Sequence, residues 1–200
     1  GGLEASNHIQ NNDENAVVVG KPGGAGWTTV TDSASWPALS VPYRPIIDVH
    51  VEAPVELNPG TTVEFEQGVG MQIRDSGGLT ADASGGEPIV FGGTEDIAGF
   101  WTGLYYESSL STDNVLENVV VENGGSGETV GGGATDVANV FVHGGDNAAA
   151  VAISDSTIQG SGKYGICIGN GEARVTECDN VAFENNGGAD TFNLETRGPI

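Results

Sequence analysis

A phrase that recurs along the chain is the sequence feature that most constrains its fold. Residues 114–125 read NVLENVVVENGG and residues 180–188 read NVAFENNGG, and the two copies match when Glu122 is aligned with Glu184. Each has apolar residues at alternate positions, then a Glu, then Asn and Gly. Looser copies begin at Ile9, Phe65, Phe91, Val142 and Ile158. From Phe65 onward, with Val121 and Phe183 included, the copies follow one another at irregular but short intervals, and short periods of this kind indicate a solenoid.

The residues before each copy have the pattern of short β-strands. In the runs 119–121, 140–142 and 181–183 the first and third side chains would share a face. Gly, Asn, Asp or Pro bounds each such run, and no 11-residue stretch has a helical period. We therefore predict one all-β domain over residues 1–200, a β-solenoid of roughly 16–30 residues per rung, with a Pro/Gly-rich excursion at about 20–45.

The Asn and Gly residues that close each copy have a structural interpretation. Each rung must turn a corner, and Asn and Gly tolerate left-handed backbone angles better than other residues. Asn123, Asn185 and Asn186 are therefore predicted to form corners, with their side chains stacked along the coil, rather than to bind a ligand.

A family resemblance extends over residues 36–125, about half of the chain. The matching pieces, in order, are Trp36-Pro37 with Pro42-Tyr43, Leu57-Asn58-Pro59-Gly60-Thr61-Thr62-Val63-Glu64-Phe65, Gly78-Leu79-Thr80-Ala81, Pro88-Ile89-Val90-Phe91, Gly99-Phe100-Trp101-Thr102-Gly103-Leu104 and Val119-Val120-Val121-Glu122-Asn123-Gly124-Gly125. This order resembles secreted proteins of the right-handed parallel β-helix, pectin-lyase-like class. The resemblance implies a right-handed parallel β-helix and an extracellular or cell-surface location, and it does not specify an activity.

The charge of the chain excludes several partners. It has 28 Asp and Glu against 6 Lys and Arg, a formal net charge of −22. Such a field repels nucleic acid, anionic membranes and polyanionic polysaccharides unless cations bridge them. No run of 18 apolar residues is present, so we expect no membrane insertion.

Two explanations of the acidity stay open. The acidic residues either keep the protein soluble in salty surroundings or bind divalent cations. Carboxylates are ligands for calcium, but the chain has no EF-hand or nonapeptide calcium repeat, so no cofactor is required. The carboxylates in or near turns that are candidate calcium ligands are Asp13, Glu14, Glu95, Asp96, Asp146 and Asp155.

Tryptophan and cysteine supply the other candidate site residues. Trp27 and Trp36 are candidates for stacking on carbohydrate, and the alternative is a small cluster beneath the predicted excursion. Trp101 is expected to cover an apolar rung. Cys167 and Cys178 either form a disulfide across one turn or remain two buried thiols.

Catalytic motifs of β-helix enzymes are missing from the sequence. The chain has no Asp-Asp, Gly-His-Gly or Arg-x-Lys of the pectinase type, its one Asn-x-Asp (residues 11–13) stands without them, and no His/Cys pair has zinc spacing. His143 occupies the polar slot that Glu122 and Glu184 occupy in their copies, so it is expected to be an outward corner residue. We therefore expect a protein that is not an enzyme.

The two ends of the chain suggest how such a module would act. Residues 6–15 read SNHIQNNDEN, and their paired Asn resemble Asn185-Asn186 near the other end. The sequence thus favours a structural or adhesive extracellular module that stacks head-to-tail on itself as a filament, or one unit of a longer array. The alternatives are a carbohydrate-binding or carbohydrate-active β-helix, and a fragment of an enzyme whose active rungs lie elsewhere.

Overall fold

The computed structural model describes residues 15–21, 23, 26–126, 137–170 and 172–200, which form three parallel β-sheets. Sheet A contains β1 (Val17–Val19), β4 (Tyr43–Pro45), β7 (Thr62–Phe65), β10 (Ile89–Gly93), β13 (Val119–Glu122), β16 (Thr157–Gln159) and β19 (Ala182–Glu184). Sheet B contains β2 (Trp27–Val30), β5 (Asp48–Val51), β8 (Gly70–Arg74), β11 (Gly103–Glu107), β14 (Ala138–His143), β17 (Tyr164–Ile168) and β20 (Thr191–Asn193). Sheet C contains β3 (Ala34–Trp36), β6 (Pro54–Leu57), β9 (Gly78–Asp82), β12 (Val115–Glu117), β15 (Ala149–Ser154) and β18 (Ala173–Asp179).

The order of the strands is that of a parallel β-solenoid, as the sequence predicts. The chain visits sheets A, B and C in turn, and each strand pairs in parallel with its counterparts one turn before and after it. Within this described part the structure contains no helix, and so none that could span a membrane.

The length of one turn follows from the register of sheet A, and it varies along the coil. Tyr43 pairs with Val63, whereas Val121 pairs with Ile158, so the later turn is nearly twice as long as the earlier one. The spacing of the repeated phrase predicts two short rungs in place of this long turn, because the copy at Val142 is counted as a separate rung. Val142 instead lies in β14 of sheet B, so this copy belongs to a different side of the coil.

Alternating side chains from the three sheets fill the interior of the coil. Leu104 and Tyr106 of β11 are fully buried in the core, and the intervening Tyr105 faces outward. Full burial of one such aliphatic side chain stabilises a fold by about 1.5–3 kcal/mol. Trp101 lies in this core as predicted, stacked on Phe65 with ring centroids 4.2 Å apart.

Two corners of the later rungs use left-handed residues. Between sheets C and A, Asn118, Asp155 and Asn180 have φ angles of 51°, 48° and 52°. After sheet A, the successive rungs place Asn123, Gly160 and Asn185 at 63°, 62° and 53°. The corner role predicted for Asn123 and Asn185 is confirmed.

Asn186 has a different structural role from its neighbour. Its amide oxygen accepts from the backbone N–H of Ser161 at 3.1 Å, and its Nδ2 donates to the carbonyl of Ile158 at 3.2 Å. Asn139 makes the same kind of contacts one rung earlier, to Gly124 and Val121. These side chains tie each corner to the adjacent rung.

The stretch at 20–45, predicted as an excursion, is part of the coil. Its residues form β2, β3 and β4, one strand in each sheet. The described Pro and Gly residues there lie in the connections between these strands or at strand ends, where they do not prevent pairing. Composition alone therefore gave the wrong prediction for these rungs.

Candidate functional site

The outer face of sheet B carries a line of large side chains, which we call the sheet B stripe and define as His50, Gln72, Tyr105, Phe141 and Cys167. Each is in register with the next along the sheet. Each lies between two residues that point into the core, as the alternation of side chains on a strand requires. The stripe therefore crosses five consecutive rungs on one side of the coil.

Aromatic rings cover much of the stripe and leave one ring exposed. Trp27 stacks on His50 with centroids 4.8 Å apart and planes 17° apart, and it is 58 % exposed. Tyr105 stacks on Phe141 at 5.1 Å, and His143 lies at the edge of both rings. Trp27 thus offers the most open aromatic face among the residues that we describe on this side of the coil.

Several buried polar atoms of this face have no hydrogen-bond partner in the described structure. They are both ring nitrogens of His50, Oε1 of Gln72 and Nδ1 of His143. His50 and Gln72 are each only 2 % exposed. Buried polar groups are nearly always satisfied, so these atoms need a partner that the structure does not contain, such as an ordered water or a bound ligand.

A polar cleft lies beside the stripe, with a volume of about 190 Å³. It is lined by Arg74, Asp75, Glu107, Ser108, Gly145 and Asp146. Glu107 connects cleft and stripe because its carboxylate accepts a hydrogen bond from Nε2 of Gln72. One wall is held by Ser108, whose hydroxyl oxygen accepts from the N–H of Gly145 at 3.1 Å.

The protonation state of His50 follows from its position. Burial lowers the pKa of this imidazole, the positive charge of Arg74 lowers it further, and Glu52 partly opposes both. The ring is therefore neutral at pH 7, with one nitrogen able to donate a hydrogen bond and the other able to accept one. A neutral ring of this kind suits a ligand that carries hydroxyl groups.

The two tryptophans predicted to stack on carbohydrate have different positions. Trp36 is 9 % exposed and stacks on Tyr43 at 4.8 Å, inside the main core. The prediction for Trp36 is wrong because the side chain at the third position of β3 points inward. Trp27 stays a candidate, since its ring is open to solvent.

The predicted calcium ligands are not brought together. Glu95 and Asp96 lie between β10 and β11, where Asp96 accepts from Asn123 at 2.9 Å. Asp146 lines the cleft, and Asp155 forms a corner and accepts from Asn180 at 2.6 Å. Across the described residues no three His, Cys, Asp or Glu side chains form a group able to hold a metal ion. Asp13 and Glu14 lie outside the described residues, so calcium binding stays a prediction.

Of the two alternatives for the cysteines neither holds in full, because no disulfide joins Cys167 and Cys178 in this structure and Cys178 is exposed rather than buried. Cys167 is buried on the outer face of sheet B, whereas Cys178 pairs with the core residue Ile153 in sheet C. The two side chains therefore belong to different sheets and to opposite faces. Partial burial and the charge of Asp179 raise the pKa of the Cys178 thiol, which is protonated at neutral pH.

His143 lies on the outer face, as expected from its slot in the phrase, but at the end of a sheet B strand rather than at a sheet A corner. Sequence reasoning missed His50 and Gln72 altogether. A signal was present: each is a polar residue flanked by two apolar ones within a short strand, at DVHV and GMQIR. This signal does not show that the two residues are neighbours, because only the register between rungs places them side by side.

Comparisons with known proteins leave the family open. No family model, curated protein or solved structure matches the chain. The pectin-lyase-like resemblance therefore remains a prediction, and the parallel β-solenoid stands on the structure itself.

Proposed function

We propose that this chain is a non-enzymatic, extracellular structural and adhesive module that binds glycans on the outer face of sheet B. The observation that carries the proposal is the exposed ring of Trp27, stacked on His50, with the polar cleft further along the same face of sheet B. Sugars present hydroxyl groups that both donate and accept, together with an apolar face that stacks on aromatic rings. The ring of Trp27 matches the apolar face, and the polar side chains of the cleft match the hydroxyl groups.

The class of glycan follows from charge and from distance. With a net charge of −22, the chain repels polyuronates and sulfated polysaccharides, so a neutral or amino-substituted glycan is favoured. Trp27 lies on β2 and Arg74 on β8, two strand spacings or about 10 Å along the coil. A ligand that reaches both the ring and the cleft is therefore an oligosaccharide rather than a single sugar.

An extracellular location is part of the same proposal. It is supported by the resemblance of residues 36–125 to secreted β-helix proteins and by the acidic surface. Gln72, Tyr105 and Phe141 pack closely in a line on this face, and such a surface suits adhesion rather than catalysis. The cleft carboxylates of Glu107 and Asp146 would then hold sugar hydroxyls by accepting hydrogen bonds.

The test is a glycan array followed by isothermal titration calorimetry with the best neutral and amino-sugar oligosaccharides. We expect Trp27→Ala to weaken binding about tenfold, because loss of one stacking ring costs about 1–2 kcal/mol. Ile97→Ala is the matched control, since Ile97 is an exposed apolar side chain outside this face and is 52 % exposed. Equal affinity of the Trp27→Ala variant, or no binding to any glycan, would contradict the proposal.

Head-to-tail stacking is a second candidate, favoured by the strands at one end of the coil. β18 and β19 are the last described strands of sheets C and A, and within the described residues each pairs with a neighbour on one side only. Such edges can accept a strand from another copy. Electron microscopy with calcium and with chelator tests this, and compact single particles in both conditions would contradict it.

A further inference from the structure

A groove with a volume of about 490 Å³ crosses strands β3, β6 and β9 on the outer face of sheet C. We call it the sheet C groove. Its lining includes Ala34, Ser35, Pro54, Glu56, Thr80 and Asp113. Proteins bind small molecules in pockets of about 300–1,000 Å³, so this groove has room for one. It lies on a different side of the coil from the sheet B stripe and its cleft.

The floor of the groove is a line of three polar side chains. Ser35 pairs with Glu56, and Glu56 pairs with Thr80, so the three residues are in register on successive rungs. Their neighbours on each strand pack in the core, and the alternation of a strand therefore turns these three outward. Because rungs are about 4.8 Å apart, a hydroxyl, a carboxylate and a second hydroxyl follow one another over about 10 Å.

The hydrogen bonds of the floor leave it rich in acceptors. The hydroxyl of Ser35 donates to Oδ1 of Asn58 at 3.4 Å, and the hydroxyl of Thr80 donates to the carbonyl of Asp113 at 3.1 Å. Each hydroxyl hydrogen is thus in use, and each oxygen keeps lone pairs that can accept. The carboxylate of Glu56, between them, accepts only. A ligand that matches this floor must donate.

One wall of the groove is the backbone at residues 111–113, which lies against β9. Asp113 accepts from Thr80 through its carbonyl, and its N–H donates to Oγ of Ser111 at 3.2 Å. This close approach requires Gly78, since a Cβ there would lie 2.6 Å from Oγ of Ser111 and 3.0 Å from Cβ of Asp113. The sequence of β9 therefore makes room for the wall.

A buried asparagine fixes the end of this wall. Nδ2 of Asn114 donates to Oγ of Ser109 at 2.9 Å and to the carbonyl of Ala150 at 3.0 Å. Its Oδ1 accepts from the N–H of Leu79 at 3.2 Å. The wall is thus held in place by the fold, and a ligand that binds beside it does not have to order it.

The charge of the groove selects the kind of ligand. Glu56 and Asp113 are both exposed, and the lining contains no Lys or Arg. Among the residues that the structure describes, neither carboxylate forms an ion pair or accepts a hydrogen bond. Asp82 adds a further negative charge two residues beyond Thr80 on the same face. The local field therefore attracts a cation.

We propose that the sheet C groove binds a linear aliphatic polyamine. Ammonium groups donate hydrogen bonds and accept none, which matches the two carboxylates and the hydroxyl oxygens. The methylene groups between them match the apolar surface of Ala34 and Pro54. No aromatic ring lines the groove, so it offers a sugar no stacking surface, and this site is separate from the glycan site on sheet B.

The test is isothermal titration calorimetry with spermidine, a linear triamine, at about 0.15 M NaCl to screen long-range attraction. The groove variant is Glu56→Gln/Asp113→Asn. The matched control is Glu177→Gln/Asp82→Asn, which removes the same two charges from exposed positions of sheet C outside the groove. Both variants therefore change the net charge equally, and circular dichroism checks that both are folded.

We expect the wild type to bind one spermidine, the control to keep its affinity within about twofold, and the groove variant to lose about tenfold or more. Amide chemical shifts report where the ligand binds. In the wild type and the control, spermidine should shift the amide signals of Ser35, Thr80 and Asp113, and in the groove variant these shifts should be lost.

Three results would overturn the proposal. Equal weakening in both variants would show that spermidine follows the net charge and not the groove. Unchanged affinity in the groove variant would place the ligand elsewhere. If tetralysine shifted the same amide signals and bound more than tenfold more tightly than spermidine, the occupant would be a basic peptide and not a polyamine.

Discussion

Backbone angles at the corners decide which residues the repeated phrase can contain. Asn123, Gly160 and Asn185 occupy the same corner on successive rungs, all with φ between 53° and 63°. The Cβ of most residues clashes with the backbone at such angles, which costs about 1–2 kcal/mol, whereas Gly avoids the clash and Asn tolerates it. The phrase therefore recurs because the coil turns the same corner in these three rungs, and its Asn residues there are structural.

Substitution of Asn123 tests this explanation. We expect Asn123→Ala to lower the free energy of unfolding by about 1 kcal/mol more than Asn123→Gly, because Ala keeps the Cβ without the polar side chain that lets Asn tolerate this angle, whereas Gly has no Cβ. Both variants lose the hydrogen bond from Nδ2 to Asp96, so the difference between them isolates the backbone term. Urea unfolding followed by circular dichroism measures it. Equal stabilities would show that the left-handed angle is not what selects Asn.

At the scale of the strand, sheet C ends in a line of acidic and polar residues. Asp82, Glu117, Ser154 and Asp179 are in register across four rungs. Burial raises the pKa of the Glu117 carboxyl, and the charges of Asp82, Asp155 and Glu177 raise it further. Parallel pairing therefore brings like charges together. Their repulsion lowers the stability of the fold, because the spacing between rungs is short.

Glu117→Gln should relieve this repulsion. A carboxyl whose pKa is raised on folding adds stability below its ordinary pKa, and that stability is lost as the pH rises through the folded value. The variant should thus have a Tm about 1 °C above the wild type at pH 7, since an exposed charge pair is worth only a few tenths of a kcal/mol. At pH 4 the two proteins should melt together. A Tm difference of equal size at both pH values would show that charge is not the cause.

How far the sequence predicts these elements depends on how much of a strand's pattern is local. The alternation in Val119–Glu122 and the corner at Asn123 are local, and both predictions are confirmed. The strands β2 and β3 were missed because Gly and Pro crowd the same stretch and the strands are short. The long turn from Val121 to Ile158 was predicted as two short rungs, because a strand of sheet B ends in a sequence similar to the phrase that ends the strands of sheet A.

The candidate site was less predictable than the fold for the same reason. The residue type of Trp27 marks it as a candidate, but its stacking partner His50 lies on the next rung, in a separate segment of the sequence. Whether an aromatic ring on a strand points in or out depends on register, which placed Trp36 in the core and left Trp27 exposed. Register is set by stacking of whole rungs, and no single segment contains it.

At the scale of the whole molecule, the net charge of −22 is spread along a coil that stacks its rungs about 4.8 Å apart. Self-repulsion at this density opposes folding, and salt screens it, since the Debye length falls from about 30 Å at 0.01 M to about 3 Å at 1 M. The fold should therefore be more stable in salt, whichever of the two explanations of the acidity is correct.

A comparison of salts separates those explanations. Between 10 mM and 0.5 M NaCl we expect the Tm to rise by roughly 5 °C, equivalent to about 2 kcal/mol for a chain of this size. If the acidity is only a coat for salty surroundings, CaCl2 and MgCl2 should each give a similar rise at matched ionic strength. A larger rise that saturates at millimolar CaCl2, and not with MgCl2, would instead indicate specific binding that stabilises the folded state by mass action.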